Sequence, residues 1–422
     1  RATPADFCLR ALQQFDAAME TAFRNCTGLP LQQQAWVQAT FAVKDGGLGL
    51  RTAVGTADAA FIGSRAATQE VCAEVRPGHR WDVGVQGSFL EAAVSRCNLE
   101  LVDAGMASRV TCRVAETTQK QVCKLLTAAR VKTWRAAALA DDVCRLNAYS
   151  APVGGRVLGV TPSETLDKQL SRSEFVTEVA GRLGVDVCEG GVACNFCGQL
   201  ADSKGRHAWS CMAGGDAIVE HNTVRDIVFD YCGRGRLQPD LEAAGVLRDL
   251  PCPQMRRRPA DILVCSSAML AETLPDGSRS FKFPKVALDF AISNALGAGH
   301  WDDTFRQSGA AAESYDLHKR SYQDTAAKCE AAGVRFQPMV FVAQGSMTKA
   351  AGSVLHAVAS AVAVAENADP VKVREEMLEN IALAITRANA RAIARRRRQC
   401  AEGLPARCRQ AVAEADLLRE AN

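Results

Sequence analysis

The chain has 422 residues, of which 48% are hydrophobic and 23% are charged, so it is neither disordered as a whole nor collagen-like. Its 50 basic and 47 acidic residues give a net charge of only +3, and affinity for nucleic acid would therefore have to come from local charge. A chain of this length is expected to bury ordinary hydrophobic cores in roughly three domains.

The first part of the chain, residues 1–150, is predicted to be helical. Ala-rich stretches at Phe7–Phe23 and Val94–Ala104 repeat their apolar residues with the period of a helix. Between them, the glycines of Gly46–Arg51 predict a tight turn between two helices. A dinucleotide-binding loop is excluded there because Thr52 stands where the third glycine of that motif would be.

The pattern changes after a Pro/Gly/Ser-rich patch at Ala151–Thr161, which predicts a domain boundary. We predict a helical linker with a metal-binding segment over 151–222, an α/β core over 223–345 and a helical, basic extension over 346–422. The fold class is thus α/β with a large helical portion. The predicted elements after the boundary are helices at Ser171–Leu183, Ala217–Tyr231 and about Thr304–Ala331, and strands at Asp261–Cys265, Val286–Ile292 and Met339–Ala343.

Seventeen cysteines without a secretory signal predict reduced thiols and a nuclear or cytoplasmic location. The longest apolar run, Ala350–Ala365, is interrupted by polar residues and is too short for a membrane span, so it predicts a buried Ala-rich helix. Because the chain opens with Arg1, we expect it to be a fragment of a longer protein.

Three of the cysteines and one histidine have the spacing of a metal site. Cys194 and Cys197 form a C-x-x-C turn, and His207 and Cys211 follow at a spacing of one helical turn. Soft sulfur with imidazole suits Zn²⁺, and four protein ligands leave no open position for catalysis. The sequence therefore predicts a structural zinc knuckle, with His221 as a weaker candidate for the fourth ligand.

Two acids stand on predicted strands, Asp261 at the start of one and Asp289 within the next. On adjacent strands, carboxylates about 4 Å apart would repel by about 4 kcal/mol at an effective dielectric of about 20. A Mg²⁺ ion between them would turn that repulsion into a binding site for a phosphodiester. The alternative is two unrelated acids at strand ends.

Near its end the chain carries a basic stripe at helical spacing, which indicates contact with a phosphate backbone, a nuclear import signal being the alternative. The candidate nucleic-acid-binding residues are Arg387, Arg391, Arg395, Arg396, Arg397 and Arg398, with Arg407 and Arg409 beyond them.

These motifs occur in an order that resembles the C-terminal part of non-LTR retrotransposon polyproteins, which carry a restriction-enzyme-like endonuclease behind the reverse transcriptase. The matching segments are Gly46–Arg51, the Cys/Cys/His/Cys knuckle, Arg258–Asp261, Asp289 and Lys319–Tyr322. The resemblance implies a thumb-like helical region over 1–150 and a restriction-endonuclease-like core over 223–345.

By the same resemblance, Asp261 and Asp289 are the Mg²⁺-binding acids of a PD-(D/E)xK-type centre. Lys319 supports the attacking water, Tyr322 follows one helical turn later on the same face, and Glu242 is a candidate additional acid. The 28 positions between the two aspartates imply an extended hairpin loop at Ala271–Pro284.

The implied function is nicking of target DNA, whose free 3′ end then primes reverse transcription. DNA is the expected partner and element RNA a further candidate, with no membrane partner. The chain lacks the acids of a polymerase palm, so polymerisation is not implied. The alternatives are a catalytically inactive, retroelement-derived nucleic-acid-binding module and an all-helical scaffold whose cysteines are buried hydrophobes.

Overall fold

A computed structural model of the protein describes residues 3–78, 87–111, 117–151, 153–247, 259–265, 272–273, 279–280 and 285–397. The chain divides into two compact units, Arg1–Val143 and Cys144–Asn422. It is 61% helical with small mixed sheets, which confirms the predicted α/β class with a large helical portion. The predicted boundary at Ala151–Thr161 lies just inside the second unit.

Amphipathic helices build the first unit, and their apolar faces make its core. Phe61, Leu90, Leu101 and Leu126 are all buried in this core and come from three different helices. The helices are α1 (Ala5–Thr27), α2 (Gln33–Ala39), α3 (Ala53–Val75), α4 (Phe89–Asp103), α5 (Gln119–Ala137) and α6 (Ala140–Tyr149), the last of which enters the second unit.

The glycine-rich turn before α3 is as tight as its sequence predicts. Gly46 and Gly49 have φ of 84° and 78°, which L-residues with side chains rarely adopt. A Cβ on Gly47 would lie 2.2 Å from the carbonyl oxygen of Phe41, so no larger residue fits there.

A four-stranded mixed sheet forms the centre of the second unit, in the order β3–β4–β7–β8. β7 pairs antiparallel with β4 and parallel with β8, so the chain must cross over between β7 and β8. Two short hairpins, β1–β2 and β5–β6, lie outside this sheet. The strands are β1 (Val192–Ala193), β2 (Leu200–Ala201), β3 (Pro239–Leu241), β4 (Ile262–Val264), β5 (Glu272–Thr273), β6 (Arg279–Ser280), β7 (Lys285–Ser293) and β8 (Val334–Val342).

Helices cover both faces of the sheet. The helices of this unit are α7 (Arg172–Leu183), α8 (Arg206–Ser210), α9 (Asp216–Arg234), α10 (Trp301–Arg306), α11 (Ala310–Ser321), α12 (Thr325–Ala331), α13 (Lys349–Glu366) and α14 (Pro370–Arg397). Val286, Leu288 and Phe290 of β7 pack in the core that α9, α13 and α14 share, whereas Ala287 packs on the opposite side with residues of α12 and β8. Since side chains alternate along a strand, Asp289 shares the face of Ala287.

The Ala-rich run predicted to be a buried helix is α13, and Leu355, Val358 and Val362 within it are fully buried. Among the described residues, no helix combines the length and the apolar character that crossing a bilayer requires.

Two sequence predictions need correction. The single helix expected over Thr304–Ala331 is wrong, because Gly309 (φ 83°) separates α10 from α11 and Gln323 (φ 50°) separates α11 from α12. Tyr322 therefore follows the end of α11 instead of continuing it. The strand expected at Met339–Ala343 is longer, since β8 begins at Val334.

Part of the predicted loop Ala271–Pro284 is described, and it contains the β5–β6 hairpin. The remainder of that loop lies outside the described residues.

Candidate functional site

The four residues predicted to bind zinc converge. Cys194 and Cys197 lie in the loop of the β1–β2 hairpin, His207 lies on α8 and Cys211 directly follows α8. Their ligand atoms all lie within 4.8 Å of one another, and Cys197 Sγ is 3.3 Å from His207 Nε2. Tetrahedral zinc with bonds of about 2.0–2.3 Å places its ligand atoms roughly 3.3–3.8 Å apart. The cluster can therefore hold a metal ion, and its chemistry fits structural zinc.

Backbone hydrogen bonds hold the two halves of the cluster in place. In the hairpin loop, the Cys194 N–H donates to the Gln199 carbonyl at 2.7 Å and the Gly198 N–H donates to the Cys194 carbonyl at 2.8 Å. At the start of α8, the Asp202 carboxylate accepts the His207 N–H at 2.7 Å and the Arg206 N–H at 3.2 Å. A carboxylate at a helix N-terminus satisfies N–H groups that have no partner within the helix, and here it fixes the metal-binding turn.

The surroundings of the Cys194 thiol favour its thiolate form, which is the form that binds metals. Burial raises the pKa of Cys194, but hydrogen bonds from the backbone N–H groups of Phe196 and Cys197 and from His207 lower it more, to about 6. The loop geometry therefore favours a metal ligand over an inert buried thiol.

Two arginines of the basic stripe bind the segment that carries the cluster. The Asp216 carboxylate, at the start of α9, accepts a hydrogen bond from Arg395 at 2.6 Å and one from Arg396 at 2.9 Å. Both guanidinium groups lie over the ring of Phe196, with their Cζ atoms 4.9 and 5.1 Å from its centroid. Arg396 also donates to the Ala213 carbonyl, and its side chain is only 7% exposed. We call this set of contacts the arginine clasp.

The other stripe residues differ in exposure. Arg387 pairs with Asp167 at 2.9 Å and donates to two backbone carbonyls, whereas Arg391 is 55% exposed and its Nε lies 3.7 Å from Asp216. The side chain of Arg397 and the residues Arg398, Arg407 and Arg409 lie outside the described part of the chain. Among the described residues, some arginines of the predicted stripe are therefore paired with acidic side chains and backbone carbonyls of the same chain.

The two predicted acids meet at the junction of β4 and β7. Ile262 pairs with Leu288, and the same antiparallel register carried one residue further sets Asp261 opposite Asp289. β7 extends beyond β4, and the Asp261 carboxylate accepts the Phe290 N–H at 2.6 Å. The Asp261 carboxylate therefore takes the place of a backbone hydrogen-bond acceptor where the β4–β7 pairing ends. This hydrogen bond fixes the carboxylate beside Asp289.

Lys319 on α11 reaches this junction from the same face of the sheet as Asp289. Its Nζ lies 2.7 Å from Asp289 Oδ2 and donates to the Phe290 carbonyl at 3.0 Å. Burial raises the pKa of Asp289 above its ordinary value. Lys319 counteracts this, and the charge of Asp261 adds to it. The two carboxylates therefore lie close enough to interact electrostatically.

His221 belongs to this acidic centre, not to the zinc cluster. Its Nε2 lies 3.4 Å from Asp261 Oδ2, and its ring meets the edge of the Phe290 ring at 6.5 Å between centroids. The cluster is complete without it, since Cys194, Cys197, His207 and Cys211 supply four ligands. Sequence reasoning missed this position because only the packing of α9 against the sheet brings His221 to Asp261.

Glu242, the candidate additional acid, lies beside the centre. It directly follows β3, the other strand that pairs with β4. Its N–H donates to the Asp261 carbonyl at 2.9 Å, continuing the β3–β4 ladder by one residue. Its carboxylate binds the buried guanidinium of Arg225. The carboxylate of Glu242 is thus engaged by an arginine of α9.

A cavity of about 350 Å³ opens beside Asp289 and Lys319. Such a volume is at the lower end of the range for small-molecule sites, about 300–1,000 Å³. Tyr322 contributes to its wall with a side chain that is 53% exposed. The complete lining is Pro259, Asp289, Tyr315, His318, Lys319, Tyr322 and Thr325.

No protein-family model matches the sequence, and a search of the curated proteins returns no match either. The findings establish a mostly helical protein with a Cys/Cys/His/Cys cluster able to bind a metal. The resemblance to retrotransposon proteins stays a prediction.

Proposed function

We propose that the protein is a Mg²⁺-dependent DNA endonuclease whose centre consists of Asp261, Asp289 and Lys319. The observation that carries the proposal is the ion pair of 2.7 Å between Lys319 and Asp289 beside a second, electrostatically coupled carboxylate. Two acids at the junction of two sheet strands and a lysine from a neighbouring helix are the elements of metal-assisted phosphodiester hydrolysis.

The donor set suits magnesium. Mg²⁺ prefers oxygen ligands and is commonly bound by one or two carboxylates with waters, which Asp261 and Asp289 can supply. Burial and the neighbouring acid both disfavour the ionised form of Asp289, and a dication would relieve both effects. When bound, the ion would polarise the phosphodiester and lower the pKa of a coordinated water.

The chain's own residues contribute positioning and charge. Lys319 Nζ is held between the Asp289 carboxylate and the Phe290 carbonyl, so its positive charge borders the cavity. A fixed cation there would stabilise the negative charge that develops on a phosphate during hydrolysis. The Phe290 N–H holds the carboxylate of Asp261, so this acid is already in place when the substrate binds.

Together with the motif order, this centre supports a role in nicking target DNA for the priming of reverse transcription. The zinc cluster would then be a structural module beside the nuclease core, since four protein ligands leave no position for substrate.

The proposal is tested by incubating the wild-type protein with supercoiled plasmid in Mg²⁺, in Mn²⁺ and in buffer without an added divalent ion, since a chelator would also remove zinc from the cluster. We expect relaxed circles only with a divalent ion, because the two acids need a cation to act. The control is the Asp261→Asn/Asp289→Asn double variant purified in parallel, which excludes a contaminating nuclease. Equal nicking by both proteins, or none by the wild type in either metal, would contradict the proposal.

The second candidate is a nucleic-acid-binding module without catalysis. It is favoured by the internal pairing of the acids, since Asp289 already binds Lys319 and Asp261 already binds the Phe290 N–H. Retained DNA affinity in a protein that does not nick would select this candidate.

The exposed part of the basic stripe gives a separate prediction about DNA contact. If Arg391 binds a phosphate, Arg391→Ala should lower the slope of log affinity against log salt by about 0.9 on duplex DNA. Arg396→Met should leave that slope unchanged, because Arg396 is buried in the arginine clasp. It should instead lower the free energy of unfolding by about 1.5–3 kcal/mol, since the charged hydrogen bond from Arg396 to Asp216 is lost while Arg395 still pairs with that carboxylate.

Salt titrations of the three proteins on one random duplex, with urea unfolding in parallel, measure both effects. An unchanged slope for Arg391→Ala would show that Arg391 does not contact DNA.

A further inference from the structure

Four aromatic rings form a continuous row that leads to the candidate centre. His300 meets Tyr315 at 5.6 Å between centroids, Tyr315 meets His318 at 6.0 Å, and His318 meets Tyr322 at 5.7 Å. We call these four residues the aromatic row. Their spacing lies within the range of direct ring contacts, about 4.5–7 Å.

Three members of the row line the cavity that also contains Asp289 and Lys319. The rings become more exposed along the row, since Tyr315 is half-buried whereas His318 and Tyr322 are exposed. Tyr315 and His318 lie one turn apart on α11, and Tyr322 directly follows the end of that helix.

Core packing accounts for only part of the row. Tyr315 packs against the hydrophobic cluster that includes Ala295 and Leu296, so its ring has a structural role. His318 and Tyr322 are not members of that cluster and expose their rings beside a charged centre. Exposed aromatic residues next to an acid–lysine pair are typical of a site that binds a flat ligand with an attached anion.

We propose that the aromatic row is a stacking platform for an unpaired nucleotide of the DNA substrate, next to the phosphate that is cleaved. This inference rests on the proposed function, and it specifies the substrate as DNA with a single-stranded or extruded base at the site. Nucleobases of any sequence stack on aromatic side chains, while the cation of Lys319 borders the same cavity and can face the attached phosphate. A fully paired base has no free face for these rings, so the platform would discriminate against undistorted duplex.

The platform can be tested by binding alone, without cleavage. The probe is a single-stranded DNA oligonucleotide with one 2-aminopurine, because stacking quenches the fluorescence of this base. It is titrated with the protein in buffer without Mg²⁺ or Mn²⁺ and without a chelator, so that the zinc cluster stays intact. We expect quenching by the wild-type protein. His318→Ala and Tyr322→Ala should each weaken the affinity for this probe by roughly 5- to 150-fold, the range that the loss of one stacked base produces.

Ring-conserving and ring-removing variants separate stacking from other effects. His318→Phe and Tyr322→Phe should keep both the quenching and the affinity, because stacking requires only a ring face. Phe305→Ala is the matched control, since Phe305 is also an exposed aromatic residue and stacks on Trp301 outside the row. It should bind the probe as the wild type does.

The outcomes distinguish this inference from the proposed nuclease function. Quenching by a protein that never nicks plasmid would support the platform and reject the nuclease. Unchanged affinity and quenching in both alanine variants, with nicking intact, would reject the platform and keep the nuclease. An equal loss of affinity for the single strand and for its duplex would also reject the platform, since stacking on an unpaired base cannot weaken both alike.

Discussion

Replacing Cys194 with Ser is expected to remove zinc from the protein and unfold the segment 187–222. Structural zinc sites contribute apparent binding free energies of about 10–16 kcal/mol, and that free energy is coupled to folding. The elements of this segment are short, since β1 and β2 have two residues each and α8 has five. Without the metal, the hairpin keeps the hydrogen bonds of the Asp202 carboxylate to α8, which contribute far less than the zinc site.

The effect should extend to the end of α14 through the arginine clasp. Arg395 and Arg396 lie over Phe196, which stands between Cys194 and Cys197 in the metal-binding loop. If that loop unfolds, both arginines lose the ring, although Asp216 can still pair with them. We therefore expect faster hydrogen exchange in the zinc segment first and, to a smaller extent, in the last turns of α14.

Elemental analysis and hydrogen exchange of protein purified without chelators measure this prediction. Cys188→Ser is the matched control, because Cys188 lies in the same segment but donates its S–H to the Asp202 and Ser203 carbonyls and is not a cluster member. The control should keep its zinc. Wild-type protein that contains no zinc, or a Cys194→Ser variant that retains it, would contradict the prediction.

The parts of the structure that the sequence predicts are those determined by neighbouring residues. The zinc cluster is one, because C-x-x-C and the spacing from His207 to Cys211 specify a local turn and one turn of helix. The glycine turn at Gly46–Arg51 is another, since Gly46 and Gly49 adopt positive φ and Gly47 has no room for a Cβ atom. The Ala-rich helix α13 is a third.

What the sequence leaves open depends on contacts between distant residues. The partnership of Asp216 with Arg395 and Arg396 joins the starts and ends of helices far apart in the chain. His221 reaches Asp261 only through the packing of α9. A stripe of arginines predicts charge, but it does not reveal which of those charges are neutralised inside the fold.

The same limit explains the errors at α10–α12. Alanines and charged residues favour one long helix, and neither Gly309 nor Gln323 is sufficient by itself to predict a break. The left-handed backbone of Gln323 is tolerated because neighbouring side chains donate hydrogen bonds to the carbonyl groups at this break. Thr325 donates its hydroxyl to the Tyr322 carbonyl at 2.6 Å, and Lys328 donates to the Gln323 carbonyl at 2.8 Å.

Asp289→Asn is expected to reduce nicking by at least about a hundredfold without lowering the stability of the fold at neutral pH. Metal-ion catalysis provides several kcal/mol of transition-state stabilisation, and each 1.36 kcal/mol corresponds to a tenfold change in rate. The amide cannot replace the charge of a carboxylate in holding the ion. DNA affinity should remain close to that of the wild type, because the substitution removes a negative charge and no phosphate contact.

The stability prediction follows from the raised pKa of Asp289. Its ordinary value is 3.8, and burial raises it in the folded protein despite the ion pair with Lys319. A folded-state pKa above the unfolded value contributes stability below pH 3.8, and this contribution is lost as the pH rises through the folded-state pKa. At neutral pH the ionised carboxylate is therefore less favourable in the fold than in the unfolded chain. Asparagine has no such titration.

Plasmid nicking at pH 7 and urea unfolding at a series of pH values from acid to neutral measure both effects. The difference in unfolding free energy between Asp289→Asn and the wild type should shift in favour of the variant as the pH rises. Asp240→Asn is the matched control, since Asp240 is an exposed acid on the edge strand β3 of the same sheet and should change neither quantity. Nicking at the wild-type rate would remove Asp289 from the reaction. Loss of nicking together with a large loss of stability at pH 7 would instead make the ion pair with Lys319 a structural contact. The charge of Asp289 would then stabilise the fold, whereas its raised pKa indicates that this charge destabilises it.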